Sequence, residues 1–181
     1  MYDAIQRRFV APGVGAPSPL KTDDSVLTQP ETGGSAASNN SSLSVLDFGV
    51  VGDGVHDDST AIQRCIDALP NDGGIVRFPK GVYALGSTLR LTSRQVRLVG
   101  DSYFSVLLIP LVELPLGTVS VRASDCEVNN LNVRTKGPRG VGVLVQGAAY
   151  TMIRNVQFLS DKNGQGTAVL FDDRTGPNGV L

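Results

Sequence analysis

The densest group of side chains that could do chemistry is acidic. Asp53, Asp57 and Asp58 lie close together, with the chain's single histidine, His56, between them. Paired carboxylates suit two reactions of polysaccharides. Glycoside hydrolysis uses two carboxyl groups, about 5 Å apart for retention of configuration or about 6.5–9.5 Å apart for inversion. Elimination uses a base that removes a proton next to a uronic carboxylate, and a cation that stabilises the enolate.

The local sequence offers these acids a structural role, which we favour. Three glycines within six residues lie before and beside Asp53 and predict a turn-rich segment, because glycine adopts positive φ at low cost: Gly49, Gly52 and Gly54. The run 57–60 then begins a predicted helix, whose first backbone N–H groups its oxygens would cap. Thr60 and Gln63 also have capping-box spacing. We expect His56 to be an exposed loop residue without a partner, and therefore a poor general base.

No other carboxylates form an evident pair. Asp172 and Asp173 follow a predicted strand, Glu127 falls at a different position of the preceding coil, and Asp161 lies in a loop. Catalytic and carbohydrate-binding residues therefore stay unassigned from the sequence. Nothing has the spacing of metal ligands, and no cofactor is expected.

Short elements surround the acidic group. The apolar run Val45–Phe48 predicts a strand, and a helix with one apolar face follows the acids. That face carries Ile62, Cys65, Ile66 and Leu69. The segment 70–74, rich in Pro, Asn, Asp and Gly, predicts the end of the helix. Two strands are predicted next, Ile75–Phe78 and Val82–Leu85.

The second half of the chain repeats itself. Residues 126–133 align with residues 151–158, and residues 141–145 align with residues 167–171, at an offset of about 25 residues. Residues 119–121 align in the same way with residues 143–145. Each segment alternates apolar and polar side chains, as a half-buried strand does. This period predicts a parallel β-helix in which apolar side chains stack from coil to coil.

Two features recur at fixed positions of the repeat. Asn130 and Asn155 occupy one position, where they could bind a ligand or stack at a turn between strands, and we favour the stacked turn. The segments 136–140 and 161–166 occupy another, and they predict loops on one side of the stack. The two cysteines, Cys65 and Cys126, are interpreted as separate buried thiols.

Residues 47–83 contain an ordered motif, D-F-G-x-x-G-D-G-x-x-D-D-S-x-A-I-Q followed by G-G-x-V-x-F-P-x-G-x-Y. It resembles the N-terminal signature of pectate-lyase-like right-handed parallel β-helix proteins, a group that includes polysaccharide lyases, glycoside hydrolases and bacteriophage tailspikes. The positions that carry the resemblance include Asp47, Phe48, Gly49, Gly52, Asp53, Gly54, Asp57, Asp58, Gln63, Gly73, Gly74, Phe78, Pro79, Gly81 and Tyr83.

The resemblance implies an all-β fold, a right-handed single-stranded parallel β-helix with an N-terminal capping helix. Residues 43–181 would form its first coils, with further coils beyond Leu181. We expect the helix to cover the open end of the solenoid, because terminal repeats must shield the apolar core. One fold hosts many functions, so the resemblance indicates the reaction only weakly.

Composition narrows the function classes. A net charge of −1 gives no electrostatic reason to expect nucleic-acid binding, and no apolar run is long enough for a membrane span. The first residues lack the apolar core of a secretory signal peptide, so synthesis in the host cytoplasm is expected. Residues 1–42, rich in Gly, Pro and Ser, predict an extended linker-like arm.

These expectations favour a tailspike or tail fibre subunit of a bacteriophage virion. Its arm would attach to tail adaptor or nozzle proteins, and its β-helix would bind host surface polysaccharide and degrade it. By resemblance it would be a homotrimer. Candidate attachment residues near the N-terminus are Tyr2, Ile5, Arg7, Arg8 and Phe9. The alternatives are a free bacterial polysaccharide lyase or glycoside hydrolase, and an adhesin that binds sugar without cleaving it.

Overall fold

The computed structural model describes residues 41–172, and every strand pairing in that range is parallel. In chain order the elements are β1 (Ser42–Ser44), a 3-10 helix (Val45–Phe48), β2 (Asp53–Asp57), α1 (Ser59–Asp67), β3 (Gly74–Phe78), β4 (Gly81–Leu85) and β5 (Leu89–Leu91). They continue with β6 (Val96–Gly100), β7 (Val106–Pro110), β8 (Val119–Val121), β9 (Glu127–Arg134), β10 (Val141–Gln146), β11 (Met152–Leu159) and β12 (Thr167–Asp172).

The strands stack into three parallel ladders. The first ladder contains β1, β3, β6 and the first halves of β9 and β11. The second contains β2, β4, β7 and the second halves of β9 and β11. The third contains β5, β8, β10 and β12. The chain therefore winds as a parallel β-solenoid of about five turns, as the repeat predicts.

The predicted registers are confirmed. Val128 pairs with Ile153 and Val133 with Phe158, while Val143 pairs with both Val119 and Val169. Inward side chains form apolar rows along the axis, and burying each one contributes about 1.5–3 kcal/mol. One row from the second ladder shows the pattern: Tyr83, Leu108 and Val133 are all fully buried. Cys65 and Cys126 are separate buried thiols, as expected.

Helix α1 takes the place of a strand in the first turn. Its predicted apolar face is buried, since Ile62 and Cys65 are fully shielded and Ile66 and Leu69 nearly so. The Gln63 carboxamide faces the edge of β5, where its Nε2 donates to Arg90 O at 3.1 Å and its Oε1 accepts from Arg90 N at 2.9 Å. One side chain thus replaces a strand partner and satisfies the backbone of the outermost strand.

Two local predictions are wrong, and a third holds for a different residue of the predicted run. Val45–Phe48 forms a 3-10 helix instead of a strand, and it ends at Gly49, whose φ of 83° suits a helix C-cap. Within the run 57–60, predicted to cap the helix, Asp58 occupies the N-cap position but makes no capping bond. Asp57 Oδ1 accepts from Ser59 N, the first N–H group of α1, instead. The capping box between Thr60 and Gln63 does not form, because the Gln63 amide is committed to Arg90 and Asp67.

Candidate functional site

Asp58 has a structural role in the fold. It is only 2% exposed, and its two carboxylate oxygens accept hydrogen bonds from the backbone N–H groups of Val51 and Gly52 at 2.8 and 3.0 Å. These bonds fold the glycine-rich turn back onto the start of α1. A carboxylate with both oxygens engaged by backbone donors is held in place as a structural acceptor.

Asp57 has a similar role one residue earlier. Its Oδ1 accepts hydrogen bonds from Ser59 Oγ at 2.5 Å, from Ser59 N at 3.0 Å and from Gly86 N at 2.9 Å. Burial opposes ionisation of this carboxyl group, but the hydrogen bonds from Ser59 and Gly86 outweigh it and lower the pKa of Asp57. The carboxylate therefore joins the helix start to the loop that follows β4.

Asp53 and His56 form an exposed pair within β2. Asp53 Oδ1 accepts from the N–H groups of Val55 and His56, and Asp53 Oδ2 lies 2.6 Å from His56 Nδ1. Hydrogen bonds from the His56 and Val55 backbones and from the imidazole lower the pKa of Asp53 to about 2. His56 is exposed as expected, but the expectation of a loop position without a partner is wrong.

The remaining signature positions also serve the fold. Tyr83 packs edge-on against Phe78 and donates its hydroxyl to Pro79 O at 2.6 Å. Gly73 has a φ of +90°, and a Cβ there would lie 2.4 Å from Arg94 O, so only glycine allows this approach between turns. The structural interpretation of the acidic group is thereby supported by direct contacts.

Asp161 and the two asparagines have structural contacts as well. Asp161 accepts from the N–H groups of Gly137, Asn163 and Gln165, which lowers the pKa of its carboxyl group and joins the predicted loops 136–140 and 161–166. Asn130 and Asn155 have φ values of 56° and 48° and bend β9 and β11 between the first and second ladders. The Asn155 amide donates across the turns to Asn129 Oδ1 at 3.5 Å.

Polar side chains on the outer face of the first ladder line a groove that is open to solvent. It encloses about 350 Å³ and is lined by Asp72, Gln95, Arg97, Asp125, Glu127 and Met152. Arg97 pairs in register with Glu127, and Glu127 pairs with Met152. Three successive turns therefore contribute one outward side chain each at the same level of the ladder.

A second row comes from the corner before each of these strands. Gln95, Asp125 and Tyr150 all have positive φ, at 59°, 63° and 56°. Gln95 immediately precedes β6, and Asp125 and Tyr150 lie two residues before the starts of β9 and β11. In the registers of these strands, the left-handed residues of successive turns stack above one another. This backbone geometry places the Asp125 side chain beside the Glu127 row at the groove.

Charges of both signs surround the groove. Arg94 binds Asp125 with an Nη2–Oδ2 distance of 2.8 Å, and Arg154 Nε lies 3.9 Å from Glu127 Oε1. Asn129 Nδ2 also donates to Glu127 Oε1, at 3.2 Å. The wall thus combines carboxylate acceptors with guanidinium and amide donors, which is the mixture that recognises hydroxyl groups as well as carboxylates.

The sequence patterns do not predict this groove. Along the repeat Glu127 matches neither Asp172 nor Asp173, whereas its neighbours in space are Arg97 and Asp125. The available signal was the outward position of Glu127 in an alternating strand. Among residues 41–172, no three His, Cys, Asp or Glu side chains lie close enough to hold a metal ion. The proposed attachment residues Tyr2, Ile5, Arg7, Arg8 and Phe9 lie outside the described range.

A second groove, of about 380 Å³, lies between α1 and the segment before β5, and is lined by Ser59, Thr60, Gln63, Arg64, Asp67, Ser87, Thr88 and Arg90. Its Gln63 amide is already bound to Arg90. Arg64 donates to Phe48 O at 3.1 Å. Two of its main polar groups therefore stabilise the fold, which makes the first groove the stronger candidate.

Comparison with known proteins agrees with the fold. Residues 42–109 match the family model described as Rhamnogalacturonase A/epimerase, pectate lyase-like. The plasmin and fibronectin-binding protein A of Streptococcus pneumoniae is 51% identical over 53 residues, which are 28% of this chain and 7% of that protein. Within the part of the chain that the structure describes, no helix is long and apolar enough to cross a membrane.

Three solved structures share the fold, each with a TM-score of 0.56. ORF18 of Geobacillus virus E2 is 23% identical and aligns with 65% of this chain and 25% of its own. The S. pneumoniae surface adhesin PfbA is 22% identical, over 66% of this chain and 35% of its own. The Azotobacter vinelandii mannuronan C-5 epimerase AlgE6 A-module is 24% identical, over 72% and 40%. This chain thus spans less than half the length of each of these three structures.

Proposed function

We propose that the protein is a tailspike or tail fibre subunit of a bacteriophage, and that the groove on the first ladder binds a polysaccharide of the host surface. The observation that carries the proposal is the composition of the groove. Three carboxylates and one guanidinium group line a shallow, solvent-open wall built by successive turns, and two further arginines bind two of those carboxylates. A long, hydroxyl-rich chain fits such a wall better than a compact cofactor does.

The balance of charge argues for a saccharide over a nucleic acid. Asp72, Asp125 and Glu127 line the groove, whereas Arg97 is the cation among its lining residues. A phosphate backbone requires a surplus of positive charge, and this wall has none. The net charge of the chain, −1, points the same way.

Likeness of fold to a phage protein supports the virion part of the proposal. In this proposal residues 1–42 attach the protein to tail adaptor or nozzle proteins through Tyr2, Ile5, Arg7, Arg8 and Phe9, and three chains assemble into one spike. Light scattering of the full chain tests the assembly. A mass of three chains is expected, and a monomer would contradict the trimeric spike.

Binding to a polysaccharide panel tests the groove. The panel contains alginate, polygalacturonate, dextran, purified capsular polysaccharides and lipopolysaccharide O-chains, presented to the full chain. Binding to at least one member is expected, with a loss of about tenfold or more in Arg97→Ala and Glu127→Gln. Arg122→Ala is the matched control, because Arg122 is exposed and lies immediately after β8, a strand of the third ladder. Failure to bind any member, or equal binding by Arg97→Ala, would overturn the proposal.

A protein-binding adhesin is the second candidate. The observation that favours it is the 51% identity over 53 residues with a plasmin and fibronectin-binding protein. Immobilised plasmin and fibronectin therefore belong beside the panel. Binding to either protein that survives Arg97→Ala would favour the adhesin. A free lyase or hydrolase instead requires release of reducing ends or unsaturated sugars from a panel member.

A further inference from the structure

An exposed pair of aromatic rings lies at the end of β6. Tyr103 and Phe104 occupy the loop between β6 and β7, with ring centroids 3.8 Å apart and ring planes tilted by 36°. Phe104 is 79% exposed and Tyr103 39%. A large exposed aromatic surface costs solvation free energy, so its presence on a short loop points to a ligand.

The loop is held in a defined shape. Ser102 O accepts from the N–H groups of Ser105 and Val106, at 3.0 and 3.1 Å. Ser102 Oγ accepts from Phe104 N at 3.3 Å. From the next turn, the buried Asn132 amide donates to Tyr103 O. The rings are therefore presented by an ordered backbone, which reduces the entropy that binding would cost.

The ring pair lies beyond the corner at Asn130, where β9 passes from the first ladder, which carries the groove, to the second. Strand β9 begins with Glu127 at the groove, passes the outward Asn129, bends at Asn130 and reaches Asn132 under Tyr103. At about 3.3 Å per residue, the groove and the rings are about 15 Å apart along this strand. The polar side chain of Asn129 lies between them, where it can bond to hydroxyl groups.

We propose that Tyr103 and Phe104 form a second saccharide position, in which the rings stack against the apolar face of a pyranose ring. This inference rests on the proposed function of the groove and adds a length requirement. One sugar unit lies against Arg97 and Glu127, and a unit several positions along the same chain lies on the aromatic pair. A pyranose ring offers a face of C–H groups and a rim of hydroxyls, which matches aromatic rings flanked by amides.

Binding of short and long fragments tests the inference. Di- and hexasaccharides are prepared by partial hydrolysis of each panel polysaccharide that binds the full chain, and their affinities are measured by calorimetry. Phe104→Ala is expected to weaken hexasaccharide binding about tenfold and to leave disaccharide binding unchanged. Phe104→Tyr retains a ring and should restore binding to within about twofold. Leu116→Ala is the control, because Leu116 is also exposed but lies on the loop before β8.

The outcomes separate this inference from the proposed function. Unchanged hexasaccharide binding in Phe104→Ala, together with loss in Arg97→Ala, would overturn the aromatic position and leave the groove in place. Equal weakening of both fragment lengths in Phe104→Ala would also overturn it. Binding that Arg97→Ala leaves intact for every fragment would overturn the proposed groove, and with it the inference that depends on it.

Discussion

The two acidic regions of the molecule use the same side chains for opposite purposes. In the cap module, residues 42–67, Asp58 and Asp57 direct their oxygens at backbone N–H groups. On the outer face of the first ladder, Asp125 and Glu127 bind the side chains of Arg94, Arg154 and Asn129 at the edge of a solvent-filled groove. A carboxylate that accepts from backbone N–H groups is held in place by the fold. A carboxylate whose partners are exposed side chains can give up those partners and bind a ligand instead.

The density of acidic residues is therefore a poor guide to a functional site. The cap module contains the closest group of acids in the chain, and those acids form turns. The groove acids are fewer and come from different turns of the solenoid. What distinguishes them is the partner of each oxygen, and the following variants test that difference, from the largest expected effect on stability to the smallest.

Asp58→Ala should give the largest loss of stability. Without the carboxylate, the N–H groups of Val51 and Gly52 lose their acceptor beside a buried site, at a cost of about 3 kcal/mol. Urea denaturation measures the loss, with Asp47→Ala as control because Asp47 is exposed in the same module. A loss in Asp58→Ala that equals the control would contradict a structural role.

Gln63→Ala should cost about 1 kcal/mol, because the N–H and C=O groups of Arg90 at the edge of β5 lose their partner. The capping box predicted from the sequence would make Thr60→Ala costly as well. The structure instead predicts that Thr60→Ala is nearly neutral, since Thr60 is exposed. Equal losses for the two variants, measured by urea midpoints, would favour the capping box.

Arg97→Ala should change stability by less than about 0.5 kcal/mol while it weakens polysaccharide binding. Arg97 is half-buried and lies at the groove. This variant is the counterpart of Asp58→Ala, which should lower stability but retain binding below its unfolding transition. If both variants lost stability and binding in proportion, the distinction between the two regions would fail.

Substitution of Asp53 should have a small effect on stability, and that effect should depend on pH. Its folded-state pKa of about 2 lies below the usual aspartate pKa of 3.8, so its stabilising contribution is complete above the unfolded value and is lost as the pH falls from about 4 through about 2. The stability difference between the wild type and Asp53→Asn should therefore narrow over that range. A carboxyl titration by NMR with a midpoint near 3.8 would contradict the hydrogen bonds assigned to Asp53.

The fold could be predicted from the sequence because its main signal is repeated. Alternating apolar residues at a constant offset predicted the pairing of Val128 with Ile153 and of Val143 with Val169, which the structure confirms. The conformation of Val45–Phe48 is harder to predict, because a four-residue apolar run does not distinguish a strand from a short helix. In the structure, Gly49 has the left-handed (αL) conformation and ends a 3-10 helix at this position.

The groove could not be predicted in the same way. Gln95, Asp125 and Tyr150 share a backbone conformation but no side-chain chemistry, so no pattern links them. Turns of unequal length also separate them, since the Tyr103–Phe104 loop enlarges one turn. Only the registers of β6, β9 and β11 bring Arg97, Glu127 and Met152 to one level.

Hydrogen exchange of the full chain, with and without a polysaccharide from the panel that binds it, tests the central claim most directly. We predict slower exchange at residues 95–104 and 125–132 on binding, and no change at residues 51–59, which lie away from the groove and where several N–H groups already bond to Asp53 or Asp58. Protection confined to residues 51–59, or protection that spares residues 95–104 and 125–132, would contradict it.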